Sequence, residues 1–495
     1  MRTERTDQKA LVIGGGLGGL SAAIHLQLKG FDVTLLEKNK TVGGRANRIE
    51  IEGFHFDTGP SLLNYPWVFK ELFEAAGKKM TDYIKLIQVD PSITFHWPDQ
   101  KTFTLSSQIT TLIKECEKME PGVTSKLFAF LSDAECKYRF SFDKLVLTNE
   151  DNPIKWVLSL KPSELLKMGV WHSLNKELSR FFKSSYLCEA FGSYAMYLGG
   201  SPWALPGLFS ILPYGELAYG LWLPEGGIYG MVQAIERLAK EVGVKIQTET
   251  EVKSITTKDR IVTGVELQDG TAIACPIVVS NVDVPQTQAT LLNDPHYKKP
   301  KVPRMTCGVI TLYWGIRHQS TGLPHHSIFL PKDSRTSFGQ LLNDEIIPDE
   351  IPFYISLASE TDASLAPEGH TSAFVLAPVP LISQWGEDWD TAIASIKTKV
   401  FERLKHHGIS LTAEDIIVER VWTPVEWREQ YGLHDGSAFG AAHHMFEVGP
   451  FRSKNYDKQL KGLYYVGAST TPGTGMPMVV LGGKMTAERI CSHVL

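Results

Sequence analysis

"VIGGGLGGLSAAIHLQLKGFDVTLLEKNKTVGGRAN", residues 12–47, is the stretch on which the reading of the fold turns. The apolar run "KALVI" stops at five glycines within the six residues 14–19. "LSAAIHLQLKG" follows with helical spacing and stops at Gly30, and "FDVTLLEK" reads as a second buried strand. Strand, glycine turn, helix and strand make one βαβ unit. Gly14, Gly16 and Gly19 satisfy G-x-G-x-x-G at the strand-to-helix turn. The first glycine permits a tight turn, the second lets backbone approach a pyrophosphate, and the third lets helix pack on strand. The free N–H groups at the start of the helix favour phosphate there. Glu37 ends the second strand 18 residues after Gly19; a carboxylate at that place accepts hydrogen bonds from ribose hydroxyls and repels a 2′-phosphate. The pattern predicts a dinucleotide site, and the glycines alone do not choose between NAD and FAD. Gly43-Gly44-Arg45 adds a second close approach of backbone and a guanidinium suited to phosphate, which is unusual for a simple NAD domain. No second G-x-G-x-x-G follows, so one dinucleotide and no separate nicotinamide domain are expected.

The far end of the chain repeats the strand–glycine–helix theme. In "GLYYVGASTTPGTGMPMVVLGGKMTAERI", residues 462–490, a short strand leads through glycines into a helix with Pro477 in its first turn, where a missing N–H costs little. The positive end of that helix suits the negative charge of a reduced flavin. A C-terminal helix packed on the sheet, with glycines for close contact, is the plainer alternative. Between the two ends, "GFHFDTGPS" (53–61) reads as strand then turn, and residues 107–180 are mostly helical in pattern. "GGIYGMVQAIERLAKEVG" (226–243) reads as a helix, and "RIVTGVELQDGTAIACPIVVSN" (260–281) as hairpin strands turning at Asp269-Gly270. A further sheet begins near Cys307–Arg317.

Composition narrows the class. The 495 residues are 43% hydrophobic and 21% charged, as in ordinary globular proteins, and are enough for more than one domain. A net charge of −5 argues against a nucleic-acid partner, which needs a basic face. The six cysteines lack metal-ligand or C-x-x-C spacing and read as reduced thiols of a cytosolic protein. The histidine pairs 325–326, 406–407 and 443–444 also lack ligand spacing and are expected on the surface or in packing. The opening "MRTERTDQKA" has no apolar signal core, and no uncharged run is long enough to span a bilayer.

"GGGLGGLSAAIHLQLKG", "LEKNKTVGGRAN", "GFHFDTGPSLL", the long segment "MYLGGSPWALPGLFSILPYGELAYGLWLPEGGIYGMVQAIERLA" and the C-terminal motif together resemble the bacterial- and fungal-type phytoene desaturases. The resemblance covers nearly the whole chain. It implies an α/β fold: a Rossmann-like FAD-binding domain of the amine-oxidase flavoprotein type, a mixed-sheet substrate domain and a helical, membrane-associating subdomain. The expected division is a discontinuous FAD-binding domain from 1–90, 226–290 and 415–495. The substrate domain takes 91–225 and 291–414, with helices over about 107–200. Carried over by motif, Gly14, Gly16 and Gly19 hold the FAD pyrophosphate, Glu37 the ribose, and Gly44 and Arg45 complete the phosphate site. Val252 contacts the adenine region, and Gly467, Ala468, Gly475, Met476 and Met478 line the flavin. Two departures stand out. Thr471 occupies the place before Pro-Gly where the family commonly has histidine, and Gly482-Gly483 replace a pair of small polar residues.

The resemblance implies removal of two hydrogens from adjacent carbons of a long polyene, one as hydride to flavin and one as a proton, in a dry tunnel. "SPWALPGLFSILPYGELAYGLWLP" (201–224), rich in aromatics and free of lysine and arginine, is the expected tunnel, with Trp203, Phe209, Tyr214 and Trp222 gripping the hydrocarbon. The same residues would equally fill a core between domains. Glu216 is the only charge in that stretch; buried, it would exchange a proton near neutral pH, or pair with an arginine. A water-insoluble substrate comes from a membrane surface. "IKWVLSLKPSELLKMGVW" (154–171) sets Trp156, Leu158, Leu160, Leu165, Met168 and Trp171 among lysines, as an interfacial helix or as one packed on its own core. The expected location is the cytoplasm, peripheral to a membrane, with oxygen or a quinone as terminal electron acceptor. Two alternatives remain at this stage: a carotenoid terminal-methyl oxidase or oxygenase of the diapocarotenoid type, and a non-redox carrier of prenyl lipids.

Overall fold

The strand Lys9–Ile13 is the centre of a five-stranded parallel sheet in a computed structural model, which describes residues 8–161, 164, 167–317 and 321–494. Asp32–Leu36 and then Lys245–Gln247 lie on one side of it, and Val278–Ser280 and then Leu463–Tyr465 on the other. Both faces of this sheet are covered at its centre, so Lys9–Ile13, Val278–Ser280 and Leu463–Tyr465 are buried almost throughout rather than alternating, while the edge strand Lys245–Gln247 is exposed at both ends. The helix Leu17–Leu28 makes the first crossover and is buried over most of its circumference, between the helices Ile228–Val242 and Met476–Val494. That explains its weakly amphipathic sequence. Gly483 is required here: a Cβ on it would stand 2.6 Å from the Ala22 nitrogen and from the Ser21 side chain. The Gly482-Gly483 departure is therefore a close helix–helix contact. The helix Ile228–Val242 buries Met231, Ile235 and Leu238 on one face and ends at Gly243, whose φ of +105° suits glycine.

The hairpin expected near 260–281 is present as Val252–Lys258, Ile261–Leu267 and Ala272–Ala274, a separate antiparallel sheet. A seven-stranded mixed sheet forms the second body, in the order Ile416–Trp422, Gly308–Ile316, Thr371–Val379, Phe353–Ser356, His326–Phe329, Ile93–His96 and Thr102–Leu105. Only His326–Phe329 with Ile93–His96 is a parallel pair. Period-two alternation divides its residues between two cores. Ile310, Leu312, Trp314, Phe353, Ile355 and Val375 pack with Ile396, Val400 and Leu404 of the helix Trp389–His406. Val309, Ile328, Tyr354, Phe374 and Leu376 point the other way, into the cavity described below. The strand Ile416–Trp422 lies on the edge of this sheet, so it belongs structurally with the second body although the expected dinucleotide-binding segment 415–495 includes it.

Helices follow Thr102–Leu105: Ile109–Met119, Thr124–Ser141, a π-helical turn at Phe142–Val146, Pro153–Leu158, Leu174–Leu178 and Ser185–Gly192. The aromatic stretch 201–224 folds as the turn Gly207–Ser210, the helix Ile211–Tyr219 and the strand Leu221–Pro224, which pairs with Leu86–Val89. Among the described residues no helix is long and apolar enough to cross a membrane.

Candidate functional site

One cavity of about 740 Å³ runs from the first glycine loop, past the C-terminal glycine loop, to the π-helical turn. At one end its wall holds Gly14, Gly16, Glu37, Gly44, Arg45 and Val252. The Glu37 carboxylate is fixed by two backbone donors, Gly15 N–H at 2.7 Å and Asn39 N–H at 2.9 Å, so it faces the cavity in one orientation. Gly16 lies against Asn281, whose Oδ1 would be 2.6 Å from an added Cβ. Gly19 is not on the wall; a Cβ there would sit 2.1 Å from the Gly14 carbonyl oxygen, so its part is to let helix and loop close on each other. Gly43 donates to the Gly15 carbonyl at 2.8 Å, docking the Gly-Gly-Arg turn on the first loop. Arg45 is half-buried, its Nε shielded from water and unpartnered by protein; desolvation lowers its pKa and the nearby Asp283 charge opposes that. A buried guanidinium donor without a protein acceptor, beside backbone stripped of Cβ atoms and a fixed carboxylate, fits the pyrophosphate and ribose of FAD.

The C-terminal loop forms the middle of the cavity. Gly467, Ala468, Gly475, Met476 and Met478 all line it, and the helix Met476–Val494 begins there. This places that helix's positive end on the site. Two residues that sequence reasoning missed hold the loop. Arg452 is 3% exposed, and all five of its N–H groups donate to backbone carbonyls. Thr470 and Ala468 receive bonds on the loop, and Ala441, Ala442 and Glu447 receive the others. Burial lowers its pKa to about 10, against the raising effect of Asp283, so it stays charged at neutral pH. His443 is likewise buried and on the cavity wall, where its Nε2 accepts the Thr474 N–H at 3.3 Å and its ring meets Phe209 edge-on. Burial and then Arg452 drive its pKa well below the usual histidine range, leaving it neutral. It stands beside the loop that has Thr471 in place of the family's histidine. No local spacing marks either residue; both act through chain distant in sequence.

The other end is apolar. Phe142, Leu145, Met196, Phe209, Leu212 and Phe374 line it, and among the charged lining residues Glu37 and Arg45 lie at the dinucleotide end and Asp283 on the C-terminal loop, bonded to Ser469. Of the four expected tunnel residues, only Phe209 is on the wall, joined by Leu208 and Ile211 from the same stretch. Trp203 packs on Phe338 instead. Tyr214, one turn on from Ile211, is not on the wall and meets the Tyr138 ring at a tilt, 5.6 Å between centroids. Trp222 sits in a strand opposite Gln88, with its indole N–H bonded to the Tyr219 carbonyl at 2.8 Å. Glu216 is 1% exposed and also off the wall; among the described residues no arginine pairs with it. Its oxygens lack well-aligned donors, and burial pushes its pKa up to about 7 against the lowering effect of the Ser92 and Tyr194 hydroxyls. Glu216 thus stands behind the cavity wall rather than on it. Asp57 supports the site from outside, accepting the Ile228 and Tyr229 N–H groups at 2.7 and 3.0 Å as the cap of the helix Ile228–Val242.

In the expected interfacial segment, the helix Pro153–Leu158 ends in a turn at Ser159, and Glu164 and Lys167 are again helical. Trp156 faces inward, its indole N–H donating to the Lys144 carbonyl at 2.7 Å. Ile154 and Leu158 are 71% and 79% exposed. Leu165 lies outside the described residues. The helix touches the turn Gly449–Phe451, which also meets the π-helical turn at the apolar end of the cavity. Leu147, Phe446 and Phe451 add exposed apolar surface there.

The chain matches the family described as flavin containing amine oxidoreductase over residues 17–491. It is 35% identical to a zeta-carotene-forming phytoene desaturase of Myxococcus xanthus, over 99% of this chain and 95% of that protein. It is 33% identical to a 4,4'-diapolycopene oxygenase of Methylomonas sp, over 99% of both. Among solved structures, an oxidoreductase from Methanosarcina mazei shares the fold with a TM-score of 0.64 at 17% identity, covering 98% of this chain and 100% of that one.

Proposed function

From the premise that the chain belongs to the flavin-containing amine oxidoreductases, among relatives named as carotenoid desaturases and oxygenases, we propose that it is an FAD-dependent carotenoid desaturase that takes its polyene from a membrane surface. The observation that carries the reading is the single cavity joining a dinucleotide-type phosphate and ribose cradle to an apolar bore without charged walls. A long polyene fits such a bore because only dispersion and exclusion of water are needed to hold it.

Bound FAD supplies a two-electron acceptor that takes hydride from an allylic carbon. The protein's own residues supply placement and dryness. Arg45 and the loop N–H groups hold the phosphates, and Glu37 the ribose hydroxyls. Arg452 and His443 hold the C-terminal loop at the junction of cradle and bore. Phe209, Phe142 and Leu145 exclude water around the developing cation. The exposed cluster of Leu147, Ile154, Leu158, Phe446 and Phe451 docks on the bilayer at the apolar end, so substrate passes from lipid to bore. Oxygen or a membrane quinone would serve as the terminal electron acceptor.

Incubation of the FAD-loaded protein with phytoene and with its shorter C30 homologue in liposomes tests the reading. Red-shifted polyenes that have lost pairs of hydrogens support desaturation. Products that have gained oxygen by mass make the protein a terminal-methyl oxygenase instead. A purified protein that carries no flavin and takes none up refutes both.

A further inference from the structure

Desaturation in a dry bore must place a proton as well as a hydride, and Glu216 does not reach the bore. A different set of groups does. Ser61 and Tyr354 both line the cavity. The Ser61 Oγ lies 2.7 Å from the Tyr354 hydroxyl, and that hydroxyl lies 2.6 Å from His326 Nδ1. His326 is 1% exposed, and its ring stacks on His325 at 3.8 Å between centroids. His325 in turn shares a 2.7 Å hydrogen bond with the half-buried Thr361, outside the sheet. A hydrogen-bonded row of three residues thus leads from the bore wall into the protein.

Resting on the desaturase reading, we propose that Ser61, Tyr354 and His326 form the proton relay of the reaction, with His326 as the terminal base. Hydride loss leaves an allylic cation. The neighbouring C–H bond then breaks, its electron pair becomes the second bond of the new alkene, and its proton passes to the Ser61 oxygen. Ser61 gives its own proton to the Tyr354 oxygen, and Tyr354 gives its proton to His326 Nδ1. The direction requires Nδ1 to be the unprotonated nitrogen, so that Tyr354 donates to it and Ser61 donates to Tyr354, leaving a Ser61 lone pair for the bore.

The electrical setting suits transient rather than lasting acceptance. The titratable groups that face this row are His325 beside His326, and Glu216 and Tyr197 near Tyr354, with the Ser356 hydroxyl also on Tyr354. Burial, then His325, keeps the His326 pKa well below the usual histidine range, so the imidazole is neutral and ready throughout the working pH range. A weak base suffices, because a proton beside an allylic cation is far more acidic than any imidazolium. The role of Tyr354 is to carry the proton, and a phenylalanine there keeps the ring and cuts the path.

The test compares single-turnover product formation in liposomes for the FAD-loaded wild type, Y354F, H326N and S61A. H326N keeps an oxygen to accept from Tyr354 and lacks a base. The relay predicts a loss of tenfold or more for Y354F and H326N alike, with flavin content and substrate uptake unchanged. If the histidine serves only to position Tyr354, H326N retains near wild-type turnover and the proposal falls. Should Y354F or H326N fail to fold, S61A decides by the same criterion. Independently of turnover, ¹⁵N-histidine spectra of the protein, assigned with H326N, are expected to show an unprotonated His326 Nδ1; a protonated Nδ1 overturns the relay. A wild type that forms no product overturns the desaturase reading and the relay with it, whereas an active wild type with equally active variants overturns the relay alone.

Discussion

Arg452→Met is the most searching perturbation of the site. The guanidinium is 3% exposed, and its five N–H groups join loop 468–470 to the segment 441–447 through five backbone carbonyls. Each charge-assisted bond contributes about 1.5–3 kcal/mol net, although bonds that share one side chain do not add. Methionine fills much of the volume and leaves five carbonyls without donors in the interior, at a cost of about 3–5 kcal/mol. Because the loop is part of the cavity wall, FAD binding must then re-order it. About 3 kcal/mol drawn from binding weakens Kd roughly a hundredfold. Arg452→Lys keeps the charge and has three donors for five acceptors, so it falls between. The assay is titration of apo-protein with FAD by fluorescence quenching, beside thermal melts of apo and loaded forms. An Arg452→Met protein that binds FAD within threefold of wild type and melts with it refutes the account of Arg452 as the tie beneath the loop.

Gly19→Ala puts a Cβ 2.1 Å from the Gly14 carbonyl, so FAD uptake is expected to fall by more than tenfold, read as flavin absorbance per chain after purification. Glu216 has a folded pKa of about 7, raised by burial above the ordinary 4.5. Its stabilising share is therefore full below pH 4.5 and is lost as pH rises through 7, so Glu216→Gln is expected to stabilise the protein at pH 8 by about 3 kcal/mol and to change little at pH 4. Melts across pH check this, and equal shifts at both ends reject it. Leu158→Glu with Phe446→Glu is expected to weaken liposome co-sedimentation at least tenfold without lowering the melting temperature. Trp156→Glu, at an inward-facing residue, is expected to lower the melting temperature instead, and the opposite pattern would relocate the docking face.

What was legible in the sequence was whatever neighbouring residues encode together. The first loop, Glu37 and Gly-Gly-Arg work because the chain carries strand, turn and helix in order, so spacing alone reveals them. The aromatic stretch was legible as composition and not as direction. Phe209 reaches the bore while Trp203, Tyr214 and Trp222 do not, since a short turn, a helix and a strand in succession change the facing every few residues. The histidine pairs show the same limit from the other side. Adjacent residues on a strand point to opposite faces. Yet His325 precedes its strand and stacks on His326, so both are buried, and His326 meets a tyrosine from the neighbouring strand. Arg452 is the extreme case: a lone arginine in "GPFRSKN" whose five partners come from two other segments. The groups that grip the phosphates follow one another in the chain because a helix start is a local object. The groups that hold the flavin loop and line the bore come from segments far apart, because a dry bore between two sheets exists only once both have folded. Variants that alter chemistry while leaving FAD uptake intact are accordingly expected among these distant residues, and variants that lose FAD outright among the glycines of the first loop.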